Sequence, residues 1–225
     1  MPQVSLFPTP LSMYDLPGME EVNRDLTARL VAESTSVPSV HRSNVGGWHS
    51  RPDLALRPEP CFRTLIEHML KRVRETVELL AQENKQPLPP MRIGTYAWAM
   101  VMRHGDYTIP HDHAETHWGS VYYPDAGDAD ETVDPLSGLI AFINPRHGGR
   151  QMPVELFGTI YTARPSTGRL LIFPGWLLHY VNAYHGQRPR VAISANFTFD
   201  LAQAPSKMAA PLRESELRRV GSLAG

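Results

Sequence analysis

The chain is expected to be mainly β with N-terminal helices, an α+β domain whose strands form an antiparallel sandwich or jelly roll. Three observations lead there. Helical spacing is confined to the first 84 residues, and after Pro90 short apolar or alternating runs recur. Gly, Pro, Asp and Asn separate those runs, as they do in antiparallel β structure. Helices first and strands later place the helices against one sheet face. With 225 residues the chain suits a single domain with a substantial core. Its parts are a mainly helical buttress and arm (1–90), a β core (91–200) and a tail (201–225).

Residues 1–17 read as an extended lead. From Met19 to Glu33 the spacing is helical, with Val22, Leu26, Leu30 and Val31 on one side. Residues 34–60 carry Ser, Pro and Gly around Gly46-Gly47-Trp48-His49-Ser50, which reads as a loop or a short arm able to cover a site. Cys61 to Asn84 is the clearest helix. Leu65, Met69, Val73, Val77 and Leu80 form its apolar stripe, and Gln86-Pro87-Leu88-Pro89-Pro90 ends it. Strand-like runs follow at 91–103, 111–123, 139–143, 155–163, 169–173 and 190–199.

A formal net charge of −1 gives no global field for nucleic acid or a membrane surface. Cys61 is the only cysteine, which excludes an internal disulfide and fits a reducing cytoplasm; it reads as a small buried hydrophobe. The N-terminus lacks the pattern of a signal peptide, and no run is long enough to span a membrane. A cytoplasmic protein is the expectation, with a homodimer as its commonest oligomer.

The residues with most chemistry are His111-Asp112-His113 and, far downstream, His179. In an extended strand side chains alternate faces, so His111 and His113 can reach one ion while Asp112 points away. A third ligand from a distant strand completes one face of a coordination sphere and leaves the rest open, as on non-haem Fe(II). Most of the ten histidines are better read as surface or hydrogen-bonded residues. The strand-like context of these three argues for a metal. In Arg190-Val191-Ala192-Ile193-Ser194-Ala195-Asn196-Phe197 the even positions put Arg190, Ser194 and Asn196 on one face and leave an apolar face opposite. Arg is the natural partner of a carboxylate, since its fork makes two parallel charge-assisted hydrogen bonds.

These pieces, taken with Trp118-Gly119-Ser120-Val121-Tyr122-Tyr123, Asn144-Pro145-Arg146 and Phe173-Pro174-Gly175-Trp176-Leu177-Leu178-His179, resemble the 2-oxoglutarate–Fe(II) oxygenase family. Its members carry an H-x-H, an S-G-V-Y-Y-like run, a D-P-R, an F-P-S-W-L-x-H and a final R-I-S-I-S-F-N. Order and spacing agree over residues 90–200. The region 43–50 also looks family-like. The resemblance implies a double-stranded β-helix (jelly roll, cupin-like), Fe(II) as metal and 2-oxoglutarate as co-substrate. Carried over, His111 and His179 are iron ligands and Arg190 grips the distal carboxylate of 2-oxoglutarate.

Two departures stand out. His113 occupies the place of the Asp or Glu of better-known oxygenases, leaving the site one positive charge richer; Asp112 would need a local bulge to serve instead. Ala192 stands where Ser is frequent, so a co-substrate hydrogen bond falls to Ser194. Asn196, Tyr122 and Ser120 are further candidates for the co-substrate. Trp118, His117, Arg146 and Trp48 are candidates for the substrate. Trp118, Ser120 and Tyr122 share a face, but reach the parity of His111 only through a turn or bulge. The expected activity is hydroxylation of a small molecule or peptide side chain. The alternative is a cupin-like metal-binding protein, an isomerase or sensor without 2-oxoglutarate turnover, which would have no need of Arg190.

Overall fold

A computed structural model of the chain describes residues 7–113, 115–146 and 158–201. Two antiparallel sheets face each other, and two helices cover the outside of one of them. In chain order the elements are β1 (Ser12–Asp15), α1 (Glu20–Ser36), β2 (Asn44–Val45), β3 (Trp48–His49), α2 (Pro60–Glu83), β4 (Met91–Met102), β5 (Tyr107–His111), β6 (Trp118–Asp125), β7 (Ile140–Ile143), β8 (Ile160–Ala163), β9 (Arg169–Pro174), β10 (His179–Val181) and β11 (Arg190–Leu201). The six-stranded sheet runs β1-β9-β6-β11-β4-β3 and the five-stranded sheet runs β2-β5-β10-β7-β8. No helix among the described residues is long and apolar enough to cross a membrane.

Both helices stand where the apolar spacing predicts them. Leu26 and Leu30 of α1 and Leu65, Met69 and Val73 of α2 are fully or almost fully buried. They pack on Ala97, Ala99, Tyr122, Leu170, Ile172, Ile193 and Phe197, which stand on the outer face of the six-stranded sheet. Pro60 opens α2 at a position where its missing N–H costs nothing. A second, smaller core lies between the sheets, around Val121, Tyr123, Ile140, Phe142, Leu171 and Phe173. The six-stranded sheet is therefore apolar on both faces, one turned to the helices and one to the opposite sheet.

The longest pairing joins β11 to β4, with twelve consecutive partners from Arg190↔Met102 to Leu201↔Met91. Across it every even residue of one strand faces an even residue of the other, so the two strands share one parity. The expected strand at 111–123 is instead two strands. β5 ends at His111, the chain turns at residues 115–117, and β6 begins at Trp118. In the expected run 155–163 the strand described is Ile160–Ala163; residues 151–157 and the tail from 202 lie outside the described residues.

The arm at 34–60 is stitched to both sheets. β2 pairs with β5, and β3 pairs with β4, so the segment spans from one sheet to the other. Gly46 and Gly47 between them hold positive φ, of 66° and 58°. A Cβ on Gly46 would run into the Asp106 carboxylate, so this turn requires glycine on both counts.

Candidate functional site

A pocket of about 670 Å³ opens between the sheets. One wall is the even row of the β4–β11 pair: Tyr96, Trp98, Met100 and Met102 on β4, with Asn196, Ser194, Ala192 and Arg190 opposite them. The other wall comes from β5 and β10, with Thr108, Ile109, His111, His179 and Val181.

His111 and His179 are direct partners across β5 and β10, with ring centroids 4.4 Å apart. His113, just beyond β5, brings its ring within 5.5 Å of His111 and 5.0 Å of His179. One ring nitrogen from each lies within 4.8 Å of the other two, the spacing of a three-imidazole metal site. Strand alternation does not bring His111 and His113 together; the chain has left the strand after His111 and curls back through the turn.

Two of the rings are fixed by main-chain carbonyls. His111 Nδ1–H donates to Ile109 O and His179 Nδ1–H donates to Leu177 O, both at 2.8 Å. A carbonyl can only accept, so the lone pair of each of these rings is on Nε2, the nitrogen free to bind a metal. Ser43 Oγ donates to His111 Nε2 over a long 3.3 Å, a contact a metal would displace. His113 Nδ1 lies 2.6 Å from Asn196 Oδ1.

Burial disfavours the charged form of all three rings. It pushes His179 down to about 3 and His113 to about 4, with the neighbouring His111 adding to both. His111 is lowered as well, again chiefly by burial. The cluster is thus neutral and ligand-ready near pH 7. In the unfolded chain the same rings titrate near 6.5, so between that value and the folded ones the unfolded state binds more protons. The metal-free chain should therefore lose stability as pH falls from about 6.5 towards 4, read as a falling urea midpoint. A bound metal should extend that slope to lower pH, because it competes with protons for the same nitrogens.

Arg190 is 1% exposed, and among the described residues no carboxylate pairs with it. Its guanidinium lies over the Tyr123 ring at 5.1 Å, and Nη1 sits 3.0 Å from the poor acceptor Met102 Sδ. Its Nε and the Tyr123 hydroxyl are both buried with no hydrogen-bond partner. An uncompensated buried cation beside an orphaned phenol is costly unless a ligand completes it. Thr108 lines the same pocket. Its Oγ1 accepts from Val181 N at 2.8 Å, leaving the hydroxyl proton to donate elsewhere. The Arg190 guanidinium and the Tyr123 hydroxyl beside it are donors that suit a carboxylate, and Thr108 offers a third in the same pocket.

Of the expected site residues, His111, His113, His179, Arg190, Ser194 and Asn196 line one pocket. Others lie elsewhere. Tyr122 and Ser120 face the helix layer: Tyr122 donates to Asn23 Oδ1 at 2.7 Å, and Ser120 to Ala195 O at 3.2 Å. The odd residues Val121 and Tyr123 face the pocket in their place: the odd parity of His111 carries over to β6, and the parity change that Ser120 and Tyr122 required does not occur. Trp118 packs with the helix-side core. Trp48 is 4% exposed in that same core and donates to Val37 O, while its neighbour His49 lines the pocket. His117 accepts from Phe199 N, and exposed Arg146 donates to Phe7 O, both outside the pocket lining. Asn196 is committed to His113 and to Tyr96 Oη at 2.8 Å, so its amide is not free for a co-substrate. Tyr123, Thr108 and His49 were missed. For Tyr123 and His49 the adjacent aromatic is the signal, since alternation sends one of each pair to the pocket.

The family model described as "Putative 2OG-Fe(II) oxygenase" matches residues 96–196, a span that holds all three histidines and Arg190. Comparison with curated proteins returns no match. Among solved structures, a Pseudomonas putida prolyl-4-hydroxylase is similar with a TM-score of 0.56 at 16% identity, over 84% of this chain and 92% of that one. The α-ketoglutarate-dependent epimerase SnoN from nogalamycin biosynthesis gives 0.58 at 18%, over 91% and 88%. HygX from Streptomyces hygroscopicus, with nickel and 2-oxoglutarate bound, gives 0.53 at 12%, over 84% and 83%. At these identities the likeness is one of fold, the double-stranded β-helix. The neutral histidine cluster and the unpaired buried arginine both lie inside residues 96–196, the part of the chain that is similar to the 2OG-Fe(II) oxygenase family.

Proposed function

We propose that His111, His113 and His179 hold Fe(II) and that Arg190, with Tyr123 and Thr108, receives the distal carboxylate of 2-oxoglutarate. The reaction is then hydroxylation of a small molecule or peptide side chain. The observation that carries this reading is Arg190: a buried guanidinium without a counter-ion, in the same pocket as three neutral imidazoles. A cupin-like sensor or isomerase has no use for it. Bound there, Fe(II) would couple conversion of 2-oxoglutarate and O2 to succinate and CO2 to insertion of one oxygen atom into a substrate C–H bond.

The protein's part is placement. Three uncharged ligands leave the metal's charge for the anionic co-substrate, and Arg190 neutralises its far end. The apolar side chains of Met100, Ile140 and Phe173 keep the space between dry, which strengthens both attractions. Tyr96, 42% exposed, together with Arg42, Asp112 and Glu115, lines the open side, where the primary substrate would arrive.

Anaerobic titration of the chain with Fe(II) and then 2-oxoglutarate tests the reading. A visible metal-to-ligand charge-transfer band is the expected result; a tightly held different metal and no band would overturn it. Tyr123→Phe removes one donor to a charged acceptor. It should weaken 2-oxoglutarate about 10-fold to 100-fold, measured by calorimetry on the metal-loaded chain. Because the hydroxyl has no partner in the ligand-free protein, the thermal midpoint of the free chain should hold or rise.

A further inference from the structure

We infer that Asn196 is the positioning residue that makes His113 a metal ligand, by holding its proton on Nδ1 through a side-chain amide. The inference rests on the proposed role of His113 as a ligand.

The three histidines are not held alike. His111 and His179 are oriented by carbonyls two residues away in their own chain segments, Ile109 O and Leu177 O. His113 has no such local partner. Its Nδ1 is held by Asn196 on β11, 83 residues away in the sequence, at 2.6 Å. A carbonyl permits one tautomer only; a carboxamide permits two. With Oδ1 towards His113, the ring must be protonated on Nδ1 and its Nε2 is bare. With the amide turned over, Nδ2 would donate to Nδ1, the proton would move to Nε2, and that nitrogen could not bind a metal.

Tyr96 does not break the tie alone, because a phenol both donates and accepts. Metal ligation does. A bare Nε2 on His113 requires Oδ1 at His113, and that sends Nδ2 to Tyr96 Oη, the observed 2.8 Å contact. Tyr96 then accepts, and its own proton is free to point into the open side of the pocket. So one amide sets the ligand on one side and turns Tyr96 into a hydrogen-bond donor for an incoming substrate on the other.

The packing supports a fixed amide. Asn196 is 3% exposed, opposite Tyr96 in the β11–β4 register. The Tyr96 ring is stacked on Trp98 at 5.8 Å, and Trp98 meets the edge of His113 at 5.5 Å. Asn196, Tyr96, Trp98 and His113 thus close a ring of contacts.

Full-length chain labelled with 15N-histidine and stripped of metal by chelation tests this by long-range 1H–15N correlation. His113 should show the Nδ1–H tautomer in the wild type. An Nε2–H tautomer there would overturn the inference without any variant. Asn196→Ala should mix the tautomers of His113, leave those of His111 and His179 unchanged, and weaken Co(II) about 10-fold to 100-fold by calorimetry. Asn196→Asp, which can only accept, should restore both the tautomer and the affinity. Wild-type chain that binds Co(II) through His113, with Asn196→Ala unchanged in tautomer and affinity, would sink the role of Asn196 and leave the metal site standing. Failure of the wild type to bind Co(II), or binding that His113→Ala does not weaken, would sink the site itself.

Discussion

Replacing His179 with alanine removes metal binding and with it all turnover. Loss of a partner that merely orients a ligand typically costs 10-fold to 100-fold in metal affinity, so loss of the ligand itself should exceed about 100-fold. Of the three proposed ligands, His179 has the greatest leverage. It is 4% exposed, pairs with His111 across the sheet, and its ring is edged by Phe142 and Phe173. No other ring nitrogen or carboxylate among the described residues joins the cluster, so nothing replaces it. The test is calorimetric titration with Fe(II) or Co(II), with the charge-transfer band as second readout. The same titration on chelator-stripped wild type should recover full binding. Metal should raise the melting temperature of the wild type and leave that of His179→Ala unmoved, since only the native state of the wild type gains a ligand.

Arg190 offers a prediction with two opposite signs. Arg190→Met should abolish measurable 2-oxoglutarate binding, because the charge and fork that grip a carboxylate are gone. A loss of about 100-fold or more follows from two charge-assisted bonds at about 1.5–3 kcal/mol each. The same substitution should hold or raise the stability of the ligand-free chain. The buried guanidinium has no counter-ion, its Nε is unsatisfied, and its neighbours Met102 and Tyr123 offer sulfur and a ring face. An apolar side chain of similar length costs none of that desolvation. Differential scanning fluorimetry with and without 2-oxoglutarate separates the effects. Wild type should shift upward with co-substrate, by about 2.7 kcal/mol of stability at 100 times its dissociation constant; Arg190→Met should start no lower and not shift. A variant that melts well below wild type without ligand would show that Arg190 is structural.

How far the sequence carries depends on whether strand alternation continues unbroken. Along β11 it does, and the even row Arg190, Ala192, Ser194 and Asn196 lines the pocket as parity requires. Both helices were legible because the 3.6-residue period persists over many turns. Between His111 and Trp118 the alternation stops. Six residues intervene, and the expectation allowed a change of parity there, whereas the odd parity of His111 continues on β6. That error moved Ser120 and Tyr122 into the pocket and Tyr123 out of it. The arm failed for another reason: with only two residues in β3, no period exists to tell Trp48 from His49, and the larger aromatic drew the functional reading. Asn196 was legible as a pocket residue but not as a partner of His113, because that bond crosses 83 residues and depends on how β6 and β11 stack beside the turn.

The uninterrupted β11–β4 pairing also acts as a ruler. Arg190 and Asn196 mark its two ends, six residues apart, or about 20 Å of strand. In the proposed site one would anchor the far carboxylate of 2-oxoglutarate, and the other would steady the metal's third imidazole. An insertion of one residue would turn the whole polar row into the helix layer. An insertion of two would keep every side chain on its face and move Arg190 and Asn196 apart by about 6.7 Å. Drift in the length of this segment is therefore quantised: single steps break the shared polar row, and double steps preserve it while moving its ends apart.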